Sequence, residues 1–141
     1  MDAPDPGSVG GTYGGSPIGI AAAHAVLDVI AEEHLADRAM MLGNRLKERL
    51  EAIRSDAPEI VNIRGPGFMN AIELIDGKAG RPSPELAVAI KNVALSKGLI
   101  LLTCGGFGNV IRFLAPLTIQ DEVMGESLEL LEVSIREALG R

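Results

Sequence analysis

A run of glycines around a hydroxyl, Gly10-Gly11-Thr12-Tyr13-Gly14-Gly15-Ser16-Pro17, is the stretch of this sequence best suited to holding an anion. Glycine lets backbone N–H groups approach a bound group, and Thr12 offers a hydroxyl beside the start of a helix, where negative charge is favoured. A phosphate site is one reading and a linker ahead of a capped helix is the other; composition leaves both open. The stretch is not a P-loop, because no Gly-Lys-Ser/Thr follows. His24 and His34 lie ten residues apart with no Cys or carboxylate cluster at ligand spacing, so no metal site is expected. Gly65-Pro66-Gly67 lacks the third glycine of a dinucleotide fingerprint and leads into a strand, so it reads as a turn. Cys104 reads as a small packed hydrophobe, and Glu32-Glu33 and Asp121-Glu122 as solvated acidic faces.

The elements that must position these residues follow from periodicity and punctuation. Residues 1–15, rich in Pro and Gly, read as a loop. Ser16-Pro17 supplies an N-cap and a first-turn proline for a helix ending near His34, with Ile18, Ala21, Ala22, Ala25, Val26 and Val29 at helical spacing. A second helix carries the stripe Leu35, Ala39, Leu42, Leu46, Leu50 and Ile53 and stops before Pro58. Ile60 to Arg64 and Phe68 to Ile75 read as strands joined by the Gly65-Pro66-Gly67 turn. Ser83-Pro84-Glu85 starts a third helix that Gly98 ends. Leu99 to Thr103 and Val110 to Leu114 form a second hairpin around Gly105-Gly106-Phe107-Gly108, and Thr118-Ile119-Gln120-Asp121 resembles a capping arrangement for a closing helix. Hairpins without a repeated βαβ rhythm predict an α+β domain: a small, mainly antiparallel sheet with helices packed on one face.

Bulk properties narrow the function classes. With 141 residues and 47% hydrophobic side chains, the chain has material for one packed domain, and mean hydropathy is +0.24. A formal net charge of -6 repels a phosphate backbone, so nucleic acid is not an expected partner. The single Cys104 makes no internal disulfide, and Met1 to Asp5 carry neither the basic nor the apolar region of a leader, so a cytoplasmic location is expected. His24 and Asp28 interrupt the longest apolar stretch, Ile18 to Ile30, so no membrane span is expected.

Four segments carry a family resemblance in order along the chain: Gly10 to Ile18 with its alanine-rich helix, Arg64-Gly65-Pro66-Gly67-Phe68-Met69, Lys97-Gly98-Leu99-Ile100, and Gly108-Asn109-Val110-Ile111-Arg112-Phe113-Leu114-Ala115-Pro116-Leu117-Thr118-Ile119. Together they make the sequence similar to the C-terminal part of class III pyridoxal-phosphate aminotransferases, and the last resembles the 4-aminobutyrate branch. Ser16 stands where the family usually has Asn, another capping residue, and Asn70 where an apolar residue is common.

The resemblance implies a C-terminal small domain of a fold type I transferase over residues 35–141, a connecting helix over 16–34, and a loop over 1–15 that belongs with a large cofactor domain. It implies that Gly11 and Thr12 bind the phosphate of pyridoxal 5'-phosphate held by the neighbouring subunit of a homodimer or higher assembly. It gives Arg112 a substrate carboxylate, which a planar two-pronged guanidinium suits. Read without the resemblance, Arg112 is a salt-bridge residue at a strand end. Lys47, Lys78, Lys91 and Lys97 match none of the family's cofactor lysine positions, so no catalytic residue is expected here, nor cofactor binding or transamination by this chain alone. The partners implied are small amino and keto acids. The rival readings are an ornithine or acetylornithine aminotransferase and a non-catalytic α+β interaction domain.

Overall fold

The computed structural model describes Asp5, residues 10–12 and residues 14–141. Part of the expected loop over 1–15, with Tyr13, therefore lies outside the described residues. The chain divides into two compact units, Met1–Leu35 and Ala36–Arg141. In the first, α1 spans Pro17–Glu32 with proline in its opening turn. Ser16 occupies the N-cap position, but its hydroxyl makes no capping hydrogen bond, contrary to expectation. The helix also stops short of His34, because that residue turns into the left-handed region at φ 49°. No α1 residue is buried.

The second unit takes in all but the first residue of α2 (Leu35–Asp56), which leads into β1 (Ile60–Arg64), β2 (Asn70–Leu74), α3 (Pro84–Ser96), β3 (Leu102–Cys104), β4 (Val110–Phe113) and α4 (Asp121–Ala138). This is the α+β arrangement that the sequence pattern predicts. The strands form one antiparallel sheet in the order β1-β2-β4-β3, so the second hairpin enters with β4 against β2. Two strands begin later than expected. Met69 is held in the preceding turn by its N–H to the Pro66 carbonyl (3.1 Å), and Leu99 closes α3 by donating to the Ala94 carbonyl (2.9 Å). That second bond, with Gly98 N–H on the Leu95 carbonyl (3.0 Å) and Gly98 at φ 88°, is the left-handed helix termination expected of a glycine after the last turn.

The core lies between the helices and one face of the sheet. Leu42, Leu46, Leu50 and Ile53 from α2 are buried with Ile72 and Leu74 of β2 and Ile111 and Phe113 of β4. Each such aliphatic side chain contributes about 1.5–3 kcal/mol by leaving water. Asn70 is buried on the same face, with its Nδ2 donating to the Gly67 carbonyl (2.9 Å) and its Oδ1 left without a partner.

The two helix starts differ. At α3, Ser83 Oγ accepts from Leu86 N–H (3.3 Å) as its sequence pattern predicts. Ser83→Ala should lower stability by about 1 kcal/mol, measured by urea unfolding, and an unchanged midpoint would show that the cap contributes nothing. At α4 the expected Thr118 cap does not form. The N-cap position falls on Gln120, which makes no side-chain cap, and Asp121 instead pairs with Arg38 at 3.1 Å. Among the described residues no helix is long and apolar enough to cross a membrane.

Candidate functional site

Strand pleating turns alternate residues away from the core, and the register then aligns them across the sheet. Arg64 of β1 faces Ala71 of β2, which faces Arg112 of β4, which faces Leu102 of β3, so these four form one row on the open side. Beside it runs a second row: Asn62, Glu73, Val110 and Cys104. Strand spacing puts Arg64 and Arg112 roughly 10 Å apart, with only the small Ala71 between them.

The charges on this face are unequal in their surroundings. Arg64 Nη1 is 2.6 Å from Glu73 Oε2 and 3.2 Å from Asn62 Oδ1, so its charge is compensated locally. Arg112 is exposed and, among the described residues, makes no salt bridge. The strand-end ion pair that its position suggests is therefore absent from the described residues. A guanidinium left open on a rigid central strand can take an anion without first breaking a bond, and its planar fork matches a carboxylate.

Arg112 also borders a cavity of about 390 Å³ between α2, α4 and the second hairpin. Leu46, Phe113, Leu128 and Leu131 contribute to its apolar lining, and among the described residues Arg112 is the one charged residue that lines it. The segment after β4 completes the wall with Leu114, Ala115, Pro116 and Ile119.

The other two candidate residues lie in the first unit. Gly11 accepts from Gly14 N–H (3.1 Å), forming a tight turn, and Thr12 is exposed on it five residues ahead of the α1 proline. Side-chain atoms added at Gly10 or Gly11 would meet nothing within 4 Å. Open backbone, an exposed hydroxyl and a nearby helix start form a donor set that fits a phosphate group. Gly11 and Thr12 therefore stand in one unit and Arg112 in the other.

Among the described residues no three His, Cys, Asp or Glu side chains gather as a metal site. Cys104 sits half-buried in β3. Sequence reasoning did not find Glu73 as the partner of Arg64, because a turn confined to Gly65-Pro66-Gly67 would pair Arg64 with Phe68 and put Glu73 on the opposite face, whereas the observed register pairs Arg64 with Ala71. It also missed Arg38, whose bonds to the β4–α4 segment span 79 to 83 residues of chain and leave no local signal.

Residues 1–135 match the class III aminotransferase family. The chain is 47% identical over 139 residues to the 4-aminobutyrate aminotransferase GabT of Escherichia coli, covering 98% of this chain and 33% of that protein. It is 49% identical over 132 residues to the 5-aminovalerate aminotransferase DavT of Pseudomonas aeruginosa, covering 93% of this chain and 31% of that one. In structure it is similar to the ornithine aminotransferase of Toxoplasma gondii, with a TM-score of 0.82 and 32% identity over 99% of this chain and 32% of that one. The chain thus spans about a third of the length of the curated relatives it matches.

Proposed function

This chain belongs to the class III aminotransferase family, and we propose that it forms the C-terminal part of a 4-aminobutyrate aminotransferase. The full-length enzyme would move the amino group of 4-aminobutyrate to 2-oxoglutarate, giving succinate semialdehyde and glutamate. The observation that carries this reading is Arg112, whose side chain is exposed on the open sheet face and makes no salt bridge among the described residues, while the residue also borders an apolar cavity. It would anchor a substrate carboxylate, while the aliphatic lining suits the uncharged carbons of an ω-amino acid.

Pyridoxal phosphate serves this family as an electron sink, and the protein's part is to hold and orient it. In this chain Thr12 and the N–H groups around Gly11 would hold its phosphate, contributed across a homodimer to the neighbouring subunit. Residues 1–15 would then belong with the large domain, 16–34 would connect, and 35–141 would form the small domain. None of Lys47, Lys78, Lys91 and Lys97 is assigned to cofactor attachment, so transamination belongs to the full-length protein in a cytoplasmic setting.

The identity of 49% to a 5-aminovalerate enzyme supports a second donor one methylene longer. Steady-state kinetics of the full-length protein with 2-oxoglutarate as acceptor tests the assignment. The expected order of kcat/KM is 4-aminobutyrate above 5-aminovalerate by at least about tenfold, the lower end of the discrimination one methylene provides, with both well above acetylornithine and ornithine. A preference for acetylornithine or ornithine would overturn it.

A further inference from the structure

The segment from Leu114 to Gln120 joins β4 to α4 without regular structure. Its internal backbone bond is Ile119 N–H to the Pro116 carbonyl (3.1 Å), and Pro116 itself has no N–H to offer. Ala115, Leu117 and Ile119 pack only partly buried against the core. Such a segment leaves carbonyl groups outside any ladder, and each needs a donor from elsewhere.

One side chain from another element meets that need. Arg38 on α2 donates from Nε to the Leu117 carbonyl (2.6 Å) and from Nη2 to the Ile119 carbonyl, and Nη2 also reaches Asp121 Oδ1 (3.1 Å). Three acceptors on one guanidinium fix the segment to α2 at both carbonyls and at the first residue of α4. Arg38 is three-quarters buried, which protects these bonds from water more than a surface ion pair would be. Of the residues it holds, Ile119 lines the cavity bordered by Arg112, and Leu114, Ala115 and Pro116 just ahead of them in the same segment line it as well.

We propose that Arg38 is a positioning residue, clamping the Leu117–Asp121 segment so that the cavity wall beside Arg112 keeps the shape in which the substrate's carbon chain and carboxylate are aligned. This rests on the reading of Arg112 as the carboxylate anchor. Arg38 touches no substrate; it acts through the backbone it holds.

The test compares Arg38→Met, Arg38→Gln and Arg38→Lys with Arg112→Ala in the full-length protein. Arg38→Met should raise KM for 2-oxoglutarate by about tenfold, with kcat changed by less than about twofold, since displacement of a binding wall weakens the binding of substrate and transition state alike. Arg38→Gln should behave similarly, and Arg38→Lys, which keeps a charged donor, should recover most of the loss. Hydrogen exchange should quicken over residues 114–121 and stay unchanged in β1 and β2. If Arg112→Ala raises KM while Arg38→Met and Arg38→Gln leave it unchanged, the clamp proposal fails alone. If Arg112→Ala also leaves KM unchanged, the anchor reading fails and the proposal falls with it. A lowered melting temperature with unaltered KM in every foldable Arg38 variant would make Arg38 a purely structural residue.

Discussion

Arg112→Ala in the full-length protein is expected to reduce kcat/KM for 2-oxoglutarate by about 100-fold, with cofactor absorbance and thermal unfolding unchanged. The separation of activity from stability follows from the site. Arg112 makes no salt bridge among the described residues, so its removal leaves no orphaned carboxylate in the fold. Its backbone stays paired to Ala71 on one side and Leu102 on the other, which keeps β4 in place. The loss then falls on the ligand, whose carboxylate would enter the site without its counter-charge. Arg112→Lys keeps the charge but not the fork, and an intermediate loss of about tenfold is expected. Unaltered kinetics with a lower melting temperature would instead make Arg112 a structural residue.

Gly43→Ala is expected to lower the melting temperature of this chain by about 7 °C. A methyl group at Gly43 would lie 1.9 Å from the Gly67 carbonyl oxygen and 2.4 Å from its carbon, so α2 rests directly on the turn between β1 and β2. The obstacle is backbone that cannot rotate aside, and Gly67 itself is held at φ 49° with its carbonyl bonded by Asn70. Alanine would gain roughly 1 kcal/mol in helix propensity, but overpacking against a fixed turn costs about 3 kcal/mol, so the clash wins. Thermal unfolding followed by circular dichroism reads the difference. A rise in melting temperature would mean that the helix and turn separate without cost.

What was legible in the sequence was local. The Gly65-Pro66-Gly67 turn, the Ser83-Pro84 helix start and Gly98 each act on the residues beside them, and the elements they bound appear in the expected order. The departures came from interactions between distant segments. Asp121 was read as part of a cap, yet Arg38 lies 83 residues away and engages it first. Ser16 has the right type and position for a cap, but residue type does not dictate where its hydroxyl points. Gly43 sits in the middle of a helical stripe, where nothing in the pattern shows that a turn presses on it. At the site, Arg112 could be picked out by its motif, but the absence of a competing carboxylate depends on sheet register, which gives Glu73 to Arg64.

The most direct measurement is a crystal structure of the full-length protein with glutarate, a dicarboxylate that has no keto group to react. One glutarate carboxylate is expected two-pronged on the Arg112 guanidinium at about 2.8 Å, with Arg64 still paired to Glu73. Glutarate bound elsewhere, with Arg112 turned to solvent or tied to a carboxylate of the protein, would contradict that expectation.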